Sequence, residues 1–358
     1  MHFFSLFFIS FSLSLGLGSN SLANTQAAQM GGAIQGAALN LVGAKVGTVT
    51  LPAATRLNGP QGITTDGINV YIADTDANVI RKMVIATGAM SVLAGSGEPS
   101  SDNGIGVNAS FRRPQGITTD GANLYVADTY NNAIRKIVLS TGMVTTLAGT
   151  PGRAGTFDGK TTEARFFNPR GITTDGKNLY VTDARNHTIR MIEIASGNVT
   201  TLAGVAGKLG NEDGIGMLAS FNGPVGITTD GANLYVADTS NNIIRKIVIA
   251  TKEVSTLAGK VGAFGQNDGP GAGASFTGPF GVTTDGTYLY VADTFDNAIR
   301  RVDIATGMVI SLAGKATVTG RSDGVGAAAS FARPANLVND GKQLFVLDTN
   351  NHLLRTMK

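Results

Sequence analysis

The sequence predicts an all-β fold, a six-bladed β-propeller of four-stranded antiparallel blades. Three observations predict it. Pro60, Pro114, Pro169, Pro224, Pro279 and Pro334 each open a copy of one repeat, spaced 54 residues once and 55 residues four times. Each copy reads as four short strands separated by turn signals. The last copy stops within its third strand, at Leu354-Arg355-Thr356-Met357-Lys358, and the fourth strand it lacks stands ahead of the first copy as Val46-Gly47-Thr48-Val49-Thr50-Leu51. A solenoid has no use for such a displaced piece, whereas a ring uses it to cover the open edge of its last blade.

The chain opens on MHFFSLFFISFSLSLGLGSNSLANTQ. The apolar stretch Phe3 to Leu17 is broken by serines and falls short of the roughly 20 residues a bilayer span needs. Residues 1–23 read as a signal peptide, with Ser21-Leu22-Ala23 as a small-x-small cleavage site before Asn24. The expectation is a secreted or periplasmic protein with no transmembrane span in the mature chain. Residues 24–44, rich in Ala, Gly and Gln without a clear period, read as a flexible linker. The propeller takes residues 45–358.

Within a copy the order is GITTD, an Asp-Gly turn, LYVADT, a T-x-N-N turn, IRKIVL, an A/S-T-G turn and VTTLAG; the fourteen letters GITTDGANLYVADT occur identically at 116–129 and 226–239. Runs of five or six residues rich in Val, Ile, Thr and Tyr, bounded by Gly, Asn and Asp, are strand and hairpin signatures. The 48 glycines among 358 residues therefore mark a regular beat of turns. A connector of roughly twenty residues carries the chain from one copy to the next.

The copies resemble NHL repeats: Asn351-His352-Leu353 spells the motif that names the family, and Asn186-His187-Thr188 is close to it. The resemblance covers all six copies. It implies a propeller but no single activity, since relatives include RNA-binding regulators, sensor domains of bacterial kinases and a metal-dependent amidating lyase. Function has to be argued from sites.

Most recurring polar residues read as structural. Asp74, Asp128, Asp183, Asp238, Asp293 and Asp348 each precede an arginine by seven residues, namely Arg81, Arg135, Arg190, Arg245, Arg300 and Arg355. With a four-residue loop between the strands, both side chains lie on one face two rungs apart, within reach of a charge-assisted contact. They read as blade fasteners. Asp66, Asp120, Asp175, Asp230, Asp285 and Asp340 precede glycine in the first hairpin, where Asp-Gly is favoured for positive φ. The glycine of P-x-G is Asn336 in the sixth copy, a swap that suits a left-handed backbone.

Little catalytic chemistry is available. There are no cysteines, and after Ala23 only His187 and His352 remain, at equivalent positions three blades apart and so on opposite sides of the ring. They cannot share one metal away from the axis, so the histidine-ligated metal of the amidating lyases finds no support. No nucleophile elbow occurs. The acidic connector pieces, DNG at 102–104, NEDG at 211–214 and Asn267-Asp268-Gly269, have too few carboxylates for a calcium loop and read as turns. No cofactor and no metal are expected. The formal charge of +3 is spread around the ring in the IRK positions, unlike the single basic face of a nucleic-acid binder.

The positions that differ between blades are the x of P-x-G and the x of T-x-N-N, both expected at the channel mouth: Gln61 and Asp76, Gln115 and Tyr130, Arg170 and Arg185, Val225 and Ser240, Phe280 and Phe295, Ala335 and Asn350. Blade three offers Arg170, Arg185 and His187, and blade five offers Phe280 and Phe295. Arginine and aromatic residues are the types enriched in interface hot spots. The candidate site is therefore Arg170, Arg185, His187, Tyr130, Gln115, Phe280 and Phe295, for a protein, peptide or glycan with an acidic and an apolar group. The expected protein is a monomeric exported binding or scaffold module. A lyase or hydrolase with a metal at the axis, and a structural module of an envelope assembly, are the other readings.

Overall fold

The computed structural model describes residues 38–51 and 55–358, together with the backbone at Gln29–Met30 and Ala33–Ile34. The proposed signal peptide lies outside the described residues. Six antiparallel sheets are arranged as the blades of a propeller. Blade two shows the plan, running outward through Ile117–Thr119, Asn123–Asp128, Ala133–Val138 and Met143–Ala148. Blade one keeps four strands, whereas blades two to six each gain a fifth strand of two residues, such as Gly104–Ile105 pairing with Met143 and Val144. This outer edge is supplied by the connector that precedes the blade, so the connectors are built into the sheets rather than merely joining them.

The ring closes as the displaced strand requires. Lys45–Thr48 is the fourth strand of blade six, with Val46 opposite Met357 and Thr48 opposite Arg355. Burial begins earlier than the expected boundary: Leu39 and Leu41 are buried with Val46 and Tyr290, and the Leu39 amide donates to Asp285 at 3.0 Å. The last residues of the segment read as a flexible linker, 24–44, are thus packed against blades five and six.

Each fastener pair forms as the register demands. Asp128 stands opposite Ala133 and Arg135 opposite Val126, which puts carboxylate and guanidinium on one face two rungs apart. The contacts run from 2.6 to 3.1 Å in all six blades. In blades two to six the arginine is buried and also reaches a connector side chain: Asn103, Asp158, Asp213, Asp268 or Asp323. Asn103, Asp213 and Asp268, read from sequence as turns alone, and Asp158 and Asp323, not singled out there, are second partners of the guanidinium. Each of the five arginines also lies over a buried phenylalanine, 5.0 to 5.3 Å from Phe111, Phe166, Phe221, Phe276 or Phe331. Burial pushes the fastener carboxyls up, to about 6 for Asp128, Asp183 and Asp238 and about 7 for Asp293, against the lowering effect of their arginines and hydrogen bonds.

Two glycine readings are corrected. In the first hairpin only the glycine has positive φ, 82° to 95° from Gly67 to Gly341. The aspartate before it serves otherwise, accepting amides two and three residues on and, in blades one to five, the hydroxyl of Tyr71, Tyr125, Tyr180, Tyr235 or Tyr290. The P-x-G glycine is not left-handed either, and nor is Asn336. Its reason is close approach: a Cβ on Gly116 would lie 2.0 Å from the Arg170 carbonyl oxygen, and one on Gly62 1.8 Å from that of Gln115. At the seam between blades six and one the Asn336 side chain fills this contact, donating to the Gln61 carbonyl at 3.2 Å.

Candidate functional site

The mouth of the channel is tied together by a ring of side-chain acceptors. The residue before each opening proline has positive φ, and its amide donates to the residue that ends the T-x-N-N loop of the preceding blade. Asn78, Asn132, Asn242 and Asn297 present Oδ1 for this contact, at 2.7 to 2.8 Å. His187 and His352 present Nδ1 to Gly223 and Gly59, each at 3.0 Å. Both histidines therefore carry their proton on Nε2 when the bond is made, because an acceptor nitrogen cannot be protonated. Burial lowers the pKa of His187. His187, picked from sequence as a ligand contact, is first an interblade fastener equivalent to asparagine; the recurrence of Asn at that position was the signal that could have shown it.

A second ring links blades through the threonine of the A-D-T triplet, whose hydroxyl donates to the carbonyl of the next blade's proline, as from Thr129 to Pro169 at 2.8 Å. Blade three reads T-D-A instead. There Ala184 cannot donate, and Thr182 donates to the Val225 carbonyl at 2.7 Å. The exchange puts a methyl group at the wall of a groove on this face.

That groove, about 520 Å³, crosses blades three, four and five. Arg170, Arg185 and His187 form one wall, Val225 and Ser240 lie along blade four, and Phe280 and Phe295 form the other wall. Arg185 is exposed and stacks on Phe167, with its guanidinium carbon 5.4 Å from the ring centroid. Phe280 and Phe295 pack edge to face at 5.7 Å, and Arg333 lies over Phe295 at 5.0 Å. No carboxylate lines the groove, and among the described residues none forms an ion pair with Arg170 or Arg185. Arg170 is half-buried and its Nε is buried without a hydrogen-bond partner. Burial lowers its pKa, opposed by Tyr130 and reinforced by the charge of Arg185.

The structure thus brings together five of the seven candidate residues. Gln115 instead lines a smaller cavity of about 50 Å³ at the channel mouth, and Tyr130 stands on blade two under Arg113, 5.4 Å from its ring centroid. Arg113 is in turn paired with Asp76 at 2.6 Å. All six T-x-N-N side chains are exposed, whereas the P-x-G side chains are half-buried or buried around the channel. The two sets form an outer and an inner ring rather than one display.

The geometry defines a class: a six-bladed β-propeller with an asymmetric, partly cationic and partly aromatic mouth. No family model matches the chain. It is 30% identical over 323 residues to Protein SUPPRESSOR OF QUENCHING 1, chloroplastic, of Arabidopsis thaliana, a match covering 85% of this chain and 30% of that one. It is 27% identical over 354 residues to NHL repeat-containing protein 2 of Homo sapiens, covering 89% of this chain and 49% of the relative. The chain thus spans half or less of the length of these curated relatives. The six-bladed fold and the relatives named for NHL repeats support an NHL-repeat propeller family. Among solved structures, an auxiliary nutrient binding protein from Bacteroides ovatus superposes with a TM-score of 0.64 at 15% identity, over 88% of this chain and 77% of that one. A streptogramin B lyase does so with a TM-score of 0.54 at 13% identity, over 90% and 99%. These two likenesses are of fold.

Proposed function

We propose that this propeller is an exported binding module whose ligand lies in the groove across blades three to five, and that the ligand is a protein, peptide or glycan carrying an acidic group and an apolar group. The carrying observation is the groove's charge: two arginines without a carboxylate partner among the described residues face a pair of phenylalanines across one cavity. Unpaired guanidinium groups are suited to taking a carboxylate bidentately, and an aromatic wall to taking a side chain or a sugar face. The neighbour described as an auxiliary nutrient binding protein fits a ligand-binding use of the fold. Export rests on the apolar leader and its small-x-small site.

The test is an array of peptides and acidic glycans probed with residues 24–358. Binding should fall by several kcal/mol in R170E/R185E, since each charge-assisted contact is worth about 1.5 to 3 kcal/mol, and it should fall also in F280A/F295A. Retention of the same ligands by both variants would remove the groove from consideration. A metal-dependent lyase is the reading to check in parallel: elemental analysis of the purified chain would have to find a stoichiometric metal. In the structure each histidine has Nδ1 already bonded, leaving Nε2 alone for a ligand role.

A further inference from the structure

The small cavity at the channel mouth carries a second step, which rests on the groove being the binding site. Around it stand the inner-ring side chains Gln61, Gln115 and Arg170 on one arc and Val225, Phe280 and Ala335 on the other. Its floor is a collar of Ile63, Ile117, Ile172, Ile227, Val282 and Leu337, all buried. Gln115 is 7% exposed, and its side-chain amide, free of hydrogen bonds among the described residues, is open to a group entering the cavity. Arg170 beside it lacks a partner too, and its Nε is buried. The cavity and the groove share Arg170, Val225 and Phe280 and so adjoin one another.

We propose that this cavity is an end-on site for a terminal carboxylate, held by the Arg170 guanidinium and the Gln115 amide, with the rest of the ligand running outward along the groove. Size selects the end of a chain. A volume of about 50 Å³ holds roughly three or four water-sized groups, enough for a carboxylate and not for a chain passing through. The collar side chains are aliphatic, and although Thr228, Thr283 and Asn336 also line the cavity, the cationic donor is Arg170, at the level of Gln115. Chemistry selects the carboxylate: guanidinium and amide both donate, and no carboxylate lines the cavity to compete. The apolar arc of Val225, Phe280 and Ala335 then meets whatever is attached next to the carboxylate. A peptide ending in an aliphatic or aromatic residue fits this better than an acidic sugar, whose neighbouring atoms are hydroxyls with no donor or acceptor on that arc.

The probes are fluorescein-labelled Ala-Leu-Phe with a free C-terminal carboxylate, the same peptide with a C-terminal amide, and a labelled trisaccharide ending in glucuronate, each titrated by anisotropy against residues 24–358. The free acid should bind about tenfold or more tighter than the amide, the worth of one charge-assisted contact. R170Q and Q115L should bring the acid-to-amide ratio toward one, while R185Q weakens both peptides without changing the ratio. Melting temperatures of the variants should match the parent, which separates loss of the site from loss of the fold. Equal binding of acid and amide overturns the end-on site and leaves the groove standing. Preference for the glucuronate probe overturns the assignment to a peptide end. Binding of none of the three overturns the end-on site, and the array experiment then decides separately whether the groove binds at all.

Discussion

At the residue scale, the informative positions are those where one blade departs from the others. In blades two, three, four and six an asparagine donates to the fastener carboxylate, from Asn131, Asn186, Asn241 and Asn351, at 2.7 to 2.8 Å. Blade five has Asp296 there, 6% exposed, with Oδ2 buried and unpartnered. An ionised carboxylate cannot donate to Asp293. Burial raises both carboxyls, that of Asp293 to about 7 with the charge of Asp296 adding to the rise. Because these pKa values are raised on folding, the stability they contribute is greatest at low pH and is lost as pH rises through about 7. D296N should restore the missing donor and stabilise the protein by on the order of 1 to 3 kcal/mol at pH 8, with a smaller gain at pH 5, as read by denaturant unfolding at the two pH values. His187 has the opposite sign. Its folded pKa is lowered, so the bond to Gly223 contributes above the ordinary value of about 6.5 and is lost as pH falls through the folded value. H187N should keep the bond and lessen the acid sensitivity, whereas H187A should lose about 1 kcal/mol at neutral pH; unfolding curves from pH 5 to 8 would show it.

At the element scale, the blade is held by a buried ion pair and by the groups that complete it. Desolvating two charges is costly, and the pair is tolerable because each guanidinium in blades two to six meets a fastener carboxylate, two backbone carbonyls and a connector side chain. Removing one partner leaves a buried charge exposed to no compensation. R245A should therefore cost about 3 to 5 kcal/mol, measured by thermal or denaturant unfolding. The strand order, the four-residue loop and the Asp-to-Arg pairing were legible in the sequence because periodicity and register are local. The connector partners Asp158, Asp213, Asp268 and Asp323 were not, because they lie 32 residues before their arginines and contact depends on the connector folding back as an outer strand. The role assigned to Asn336 failed for a related reason: a glycine selected for interblade approach and one selected for positive φ look alike in a sequence.

At the scale of the whole molecule, the repeat makes a closed disc and the departures from it make one face unsymmetrical. Closure was legible from the displaced strand, and deletion of residues 24–58 should leave blade six with an open edge at Leu353–Met357 and cause a large loss of stability or aggregation. The convergence of Arg170 and Arg185 with Phe280 and Phe295 was legible from blade arithmetic, because equivalent positions in a ring face the same way. The division into an outer exposed ring and an inner half-buried or buried ring was not, since each position occurs once per repeat and its spacing does not tell its depth. The central claim is that stability and recognition reside in separate sets of arginines. Its most direct test is to measure, on the same preparations, unfolding free energy and binding of the array-selected ligand for R170E/R185E and for R135A/R245A. R170E/R185E should unfold within about 1 kcal/mol of the parent while losing the ligand, and R135A/R245A should be strongly destabilised but retain the parent affinity at temperatures where it stays folded. A binding loss in R170E/R185E matched by an equal loss of stability, or undiminished binding by that variant, would contradict it.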